Sequence, residues 1–220
     1  MEIALFLVLA FGAGIYFSAG RRHTPLHRTF SLLLLLVMLA HLALDGATIY
    51  TVNHLDTVPP LLNAVLHRLF IGTMVCAIYL FYQCIAILVE EETGKPRRLD
   101  LAARIFLALA LFSAFLLPIS YVETPQGSYS AGPYAVVSYA GVAFYLVLCA
   151  VLLFGNWRSL DRKKRFAIGA ALVIEFTVCA LQGLHHTWLI SGMGLTLMTL
   201  AFYLTLENPD ILRGELTEQK

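Results

Sequence analysis

Charge is scarce in this sequence. Only 13% of its 220 residues are Asp, Glu, Lys or Arg, whereas 59% are hydrophobic. A soluble domain has about one-quarter charged residues. The apolar residues come in long runs, such as residues 32–40 and 105–117, which leave no polar face for water. This composition excludes an ordinary soluble enzyme, a nucleic-acid-binding domain and a disordered chain.

The hydrophobic runs lack lysine, and the connections between them lack paired cysteines. The first absence bears on retinal-binding proteins and the second on disulfide-bonded proteins. The hydrophobic runs contain no lysine, and a retinal pigment needs a buried lysine for its Schiff base. The connections between the runs contain no cysteine pair, because Cys76, Cys84, Cys149 and Cys179 all lie within runs. The sequence therefore excludes the usual rhodopsin chemistry and predicts packed thiols instead of a disulfide framework.

Apolar segments long enough for a bilayer are abundant. A helix needs about 20 mainly apolar residues to cross the hydrocarbon core. Seven segments approach that length: 3–18, 30–50, 61–89, 101–121, 134–154, 166–185 and 192–206. The first has Glu2 where a signal peptide carries positive charge, and it lacks a small-residue cleavage site, so we interpret it as a retained helix. The predicted fold class is all-α: a polytopic membrane protein with a seven-transmembrane-helix bundle.

The basic residues are distributed unevenly among the connections. Of the 15 Lys and Arg residues, 13 lie after the first, third, fifth or seventh segment, and the other connections hold none. Arg104 lies just inside the start of the fourth segment, on the same side as those 13 residues. By the positive-inside rule this pattern places the N-terminus outside and the C-terminus in the cytoplasm, which requires an odd number of spans. The exception is Arg68, which lies within the third segment.

Polar side chains interrupt several segments, where they are energetically costly and usually functional. His41 and Asp45 are four residues apart and are expected to share a helix face, and a polar stripe runs from Glu175 to His186. The predicted ligand-binding residues are His41, Asp45, His67, Arg68, Tyr134, Glu175, Gln182 and His186. Their depths along the helices place the ionisable groups in the outer half of the bundle. We therefore expect a cavity that opens to the outside and is closed toward the cytoplasm.

The charge of the ligand stays open at this point. Arg68 is the predicted anchor for an anionic ligand, with Asp45 and Glu175 as counter-charges or further ligand partners. A cationic ligand would use the two acids instead. Arg68 and one acid can also form a purely structural ion pair that fixes helix register.

Other functions use some of the same residues. An intramembrane zinc hydrolase would draw its ligands from a histidine and aspartate cluster, namely His41, Asp45, His67, His185 and His186. However, the two adjacent histidines face different ways. A haem bound by His41 and a second histidine has less support. A transporter with broken helices also has less support, because Pro118 is the single proline inside a segment.

Two stretches resemble a known family. One is Gly132-Pro133-Tyr134, which is followed by Tyr139 and Tyr145, and the other is YLTLENPD at 203–210. Both are similar to the bacterial seven-helix membrane sensor module that precedes diguanylate cyclase (GGDEF) or histidine kinase output domains. The resemblance implies a sensor domain at 1–209 in the bacterial inner membrane and a cytoplasmic linker or tail at 210–220. These last residues are too few for an output domain, so the chain is either cut before one or signals through a partner.

The predicted function is therefore that of a receptor domain and not an enzyme. A small extracytoplasmic molecule would bind the polar pocket and shift the cytoplasmic end of the last helix. We expect no cofactor, no metal and no nucleic-acid partner. The expected partners are the ligand, the lipid bilayer and, through the C-terminal segment or an output domain, a second copy of the chain.

Overall fold

The computed structural model describes residues 2–18, 24–125 and 127–207. In these residues seven helices follow one another, with a hairpin between the fourth and the fifth. The helices are α1 (Glu2–Ser18), α2 (Pro25–Val52), α3 (Pro60–Thr93), α4 (Asp100–Leu116), α5 (Pro133–Gly155), α6 (Arg162–Leu184) and α7 (Ser191–Phe202, extended by a π-helical turn at Tyr203–Glu207). The hairpin strands are β1 (Ser120–Thr124) and β2 (Gly127–Ala131). The predicted all-α class is confirmed.

Local sequence explains where several helices begin and end. Thr24 and Asp161 cap α2 and α6, because their side-chain oxygens accept backbone N–H bonds at 3.1 and 2.7 Å. Pro60 and Pro133 occupy the first helical positions of α3 and α5, where no backbone N–H donor is needed. Gly94 ends α3 in the left-handed conformation, with φ of 65°.

The fourth segment is shorter than its predicted span of 101–121. Leu117 leaves the helix with φ −71° and ψ 147°, an extended conformation that a residue before proline prefers. Pro118 then prevents the helix from resuming. The residues beyond it form an antiparallel hairpin in which Tyr121 pairs with Ser130 and Glu123 with Ser128. The prediction of a helix through Tyr121 was therefore wrong.

Helix α3 lies at the centre of the bundle. It packs against α2, α4 and α5, and most of the apolar residues in its second half are buried. Helix α6 packs between α5 and α7, and α7 also contacts α1. This arrangement encloses the second half of α3, whereas the first half of α3 and the other helices keep an outward face.

Four of the helices, α2, α3, α5 and α6, are long and apolar enough to cross a membrane. Their outward faces carry large exposed apolar side chains, as do those of the shorter helices; examples are Phe11, Leu32, Leu61, Phe112, Phe154 and Phe176. A surface of this kind is unfavourable in water and suits a lipid environment. The membrane character expected from composition is thus supported by the structure.

The two ends of the bundle differ in charge. At one end Lys164 forms an ion pair with Glu92, and Arg97 pairs with Glu90 at 3.0 Å, so the basic connections meet there. At the other end the hairpin lies beside the α2–α3 connection, where the Asn53 side chain accepts a 3.1 Å hydrogen bond from the Ser128 N–H. Arg21, Arg22, Asn208, Pro209 and the tail at 210–220 lie outside the described residues.

Candidate functional site

A cavity of about 280 Å³ lies at the hairpin end of the bundle. Its walls come from the second half of α2, the first halves of α3 and α5, and the second half of α6. Strand β2 and the residues before α7 complete the lining. The lining includes the apolar residues Ile49, Val52, Phe70, Ile71, Met74 and Val142 and the polar residues Asp45, Thr48, His67, Ser138, Glu175 and Gln182. The cavity is therefore an apolar pocket with a few converging polar groups, a composition typical of small-molecule sites.

Glu175 is the most informative of these polar groups. It comes from the middle of α6 and is only 3% exposed. Its Oε1 atom accepts a weak hydrogen bond from the Cys179 thiol at 3.8 Å, and its Oε2 atom has no hydrogen-bond partner. A buried acceptor without a partner costs about 1–3 kcal/mol. This carboxyl group is therefore suited to a polar partner that enters the cavity.

His67 faces the same space from α3. It is 4% exposed, and neither of its ring nitrogens has a hydrogen-bond partner in the structure. The Tyr121 and Tyr134 rings lie 5.5 and 6.5 Å from the imidazole, centre to centre. These aromatic contacts hold the ring in place, and both of its nitrogens keep their hydrogen-bonding capacity.

Three further predicted residues reach the cavity from α2 and α6. Asp45 is buried at 2% exposure, and Gln182 and His186 lie nearer the hairpin. The His186 Nδ1–H group donates to the Gln182 backbone carbonyl at 3.2 Å, and its ring packs edge-on to Tyr129 of β2. The structure thus brings Asp45, His67, Glu175, Gln182 and His186 together around one cavity.

Arg68 does not line this cavity, in contrast to its predicted role as the anchor of the ligand. Its Nε donates to the Phe115 carbonyl at 3.0 Å and its Nη2 to the Leu117 carbonyl at 3.4 Å. These carbonyls lack helical partners because α4 stops before Pro118. The alternative of a structural ion pair between Arg68 and Glu175 is also not found among the described residues. The Glu175 carboxyl group accepts a hydrogen bond from the Cys179 thiol instead. Arg68 ties α3 to the end of α4.

Tyr134 and His41 support the cavity wall without lining it. The Tyr134 hydroxyl is fully buried and donates to the backbone carbonyl of His67, which fixes α5 against α3 at that point. His41 ends a π-helical segment of α2 (Leu36–His41), contacts Thr73 at 3.2 Å and stacks on Phe70 at 5.0 Å. Because Phe70 lines the cavity, His41 acts on the site only through that ring.

The hairpin contributes to the site, although none of the predicted ligand-binding residues lies in it. Residues 129–132 line the cavity. A signal was present: β-branched and aromatic residues flank the turn sequence Thr124-Pro125-Gln126-Gly127, a pattern typical of hairpins. Phe70 had no such signal, since nothing in the sequence separates a cavity-lining Phe from a lipid-facing one.

The histidines do not form a metal centre in the described parts of the chain. Within residues 2–18, 24–125 and 127–207, no three His, Cys, Asp or Glu side chains are placed to hold a metal ion. His185 stacks on Trp188 at 4.4 Å, while His41 lies behind Phe70. Asp45, His67 and His186 line the same cavity but are not placed to share a metal ion, and His41 and His185 lie outside that lining.

Comparisons with protein-family models, with curated proteins and with solved structures find no match. The resemblance to the sensor module therefore stays a prediction from the sequence. What the site can do must be argued from its own geometry.

Proposed function

We propose that this chain is a membrane-embedded receptor domain. It binds a small extracytoplasmic molecule in the cavity beneath the hairpin and transmits binding through α7 to a cytoplasmic output domain or partner. The observation that supports this proposal best is that a partly open cavity of about 280 Å³ is lined by residues with buried polar atoms that have no protein partner, Glu175 Oε2 and both His67 nitrogens. That volume is near the lower end of ligand pockets, about 300–1,000 Å³, which favours a small ligand.

In this proposal all seven helices cross the bacterial inner membrane, with the N-terminus outside. Four helices are long enough without adjustment. Helix α4 has 17 residues and is about 26 Å long, so local thinning of the bilayer would accommodate it. The ion pairs of Lys164 and Arg97 mark the cytoplasmic end, and the cavity lies at the opposite, outer end.

Helix α7 is the proposed route of the signal. A Cβ atom placed on Gly194 would lie 2.9 Å from Glu175 Oε2, so the Glu175 carboxyl group lies directly against the α7 backbone. A ligand that draws this carboxyl group into the cavity changes the contact between α6 and α7. Helix α7 then continues to the opposite end, where Tyr203 packs against the rings of Tyr16 and Phe30.

A thermal-shift screen of the purified chain against metabolites tests the proposal. A ligand at 100 times its Kd stabilises the folded state by about 2.7 kcal/mol. Ala135 lines the cavity, whereas Ala140 on the same helix is exposed. We expect Ala135→Leu to fill the cavity and abolish the ligand-induced shift, and Ala140→Leu to retain it. Equal shifts in the two variants would contradict the proposed site.

A further inference from the structure

The cavity lining indicates the charge of its ligand. We propose that the ligand is a small protonated amine, which donates hydrogen bonds to Glu175 while its apolar part packs against the rings and aliphatic side chains of the wall. This inference rests on the proposed function, since it names the ligand class of that same cavity.

The charged groups of the lining are acidic. Asp45 and Glu175 come from different helices and are 2% and 3% exposed. No Lys or Arg lies among the lining residues that the structure describes, and Arg68 is held at the end of α4. An anionic ligand would be buried beside two carboxyl groups without a counter-charge, which is strongly unfavourable in a low-dielectric site. A cationic ligand would meet acidic side chains instead, and Glu175 Oε2 has no hydrogen-bond partner in the protein.

The geometry of Glu175 supports the same conclusion. An ionised carboxylate only accepts hydrogen bonds, and Oε2 has no donor within reach in the protein. Oε2 lies beside Gly194 of α7, so a ligand that completes it must bring an N–H or O–H group and draw the ionised carboxylate into the cavity. A charged N–H donor makes the stronger bond. His67 lines the same cavity and in its neutral form adds one acceptor nitrogen that has no hydrogen-bond partner in the protein.

The walls suit the rest of such a molecule. The rings of Phe70, Tyr129 and Tyr139 line the cavity together with aliphatic side chains such as Val142. Aromatic faces attract cations, and they attract them more strongly where water is excluded. The site therefore combines a carboxylate for the ammonium group with an apolar, aromatic compartment for a short hydrocarbon or ring.

Two sets of matched probes test this proposal on the full chain in detergent. They are phenethylamine, 2-phenylethanol and phenylacetate, and butylamine, butanol and butyrate; within each set the molecules differ mainly in head-group charge. We expect amines to bind at least about tenfold more tightly than the matched alcohols and acids, as one charge-assisted hydrogen bond provides. Calorimetric Kd values and thermal shifts are the readouts.

Variants show whether Glu175 supplies that preference. Glu175→Gln keeps the shape of the side chain and one acceptor oxygen but removes its charge, and should weaken amine binding about tenfold or more. Glu123→Gln is the control, because Glu123 is an exposed acid of β1 at the same end of the bundle and does not line the cavity. If Glu175→Gln fails to fold, Asp45→Asn replaces it as the second acid of the lining.

The outcomes separate this inference from the proposed function. The amine proposal would be overturned if the alcohols or acids bound as tightly as the amines. It would also be overturned if the amines bound folded Glu175→Gln as tightly as they bind the unmodified chain. If such binding were still lost in Ala135→Leu, the receptor function would stand. Failure of all six probes to bind would overturn the amine proposal, whereas the receptor function would fail only if the metabolite screen gave no shift that Ala135→Leu abolishes.

Discussion

Replacing Gly194 with alanine should weaken the contact between α6 and α7. The added Cβ atom would meet Glu175 Oε2 and Val178 Cγ1, each at 2.9 Å, and Val178 Cβ at 3.2 Å. Carbon atoms at optimal separation are about 3.5–4.0 Å apart. Val178 is β-branched and has little χ1 freedom in a helix, so it has no easy way to move aside. Relief requires the two helices to separate.

The size of the effect follows from two opposing terms. Overpacking of a well-packed site costs about 1–3 kcal/mol. Alanine is a better helix former than glycine by about 1 kcal/mol, which offsets part of that cost. Gly169 in α6 provides the control, since a Cβ added there meets nothing within 4 Å. We therefore expect Gly194→Ala to be less stable than Gly169→Ala by about 1–3 kcal/mol.

Denaturation of the purified variants measures this difference. Val178→Ala removes the Cγ1 obstacle and should restore part of the stability of Gly194→Ala in the double variant, with a coupling of about 0.5–3 kcal/mol. If Gly194→Ala were as stable as Gly169→Ala, α6 and α7 would not be in close contact at Gly194. The proposed route from Glu175 to α7 would then be refuted.

Three further predictions concern the neighbours of the cavity and the topology. Arg68→Met removes the hydrogen bonds to the end of α4 and should lower the free energy of unfolding by about 1–3 kcal/mol, with ligand affinity unchanged. A loss of ligand affinity would support the predicted role of Arg68 as anchor. Tyr134→Phe removes the hydroxyl that donates to the His67 carbonyl and should lower both stability and ligand affinity. Unchanged values of both would show that His67 is positioned by other contacts. In intact cells, Glu123→Cys should react with a membrane-impermeant maleimide and Ser159→Cys should not; the reverse pattern would invert the topology.

The bundle could largely be predicted from the sequence, because its helices depend on local signals. Long apolar runs, Pro60 and Pro133 at helix starts and Asp161 as a cap act within a few residues of their own positions. The stripe of α6 was also predictable, since a regular helix keeps Glu175 and Gln182 on one face.

The direction of Arg68 was not predictable in the same way. Its side chain bonds to carbonyls that are available only because α4 ends at Leu116. A sequence pattern gives the depth and face of Arg68 but not the end point of a neighbouring helix. The π-helical turn before His41 has no local sequence signal either, and it sets the direction of that histidine relative to Asp45.

The most direct test of the ligand cavity is the reactivity of Cys179, which is partly exposed and lines it. With Cys76, Cys84 and Cys149 replaced by alanine, the rate of Cys179 alkylation by N-ethylmaleimide would be measured against the concentration of the tightest-binding compound from the screens. We predict that the alkylation rate falls as the concentration of the compound rises. The fall should be half complete when that concentration equals the Kd found by calorimetry. A compound that binds and stabilises the chain while Cys179 reacts at an unchanged rate would show that the ligand occupies another site.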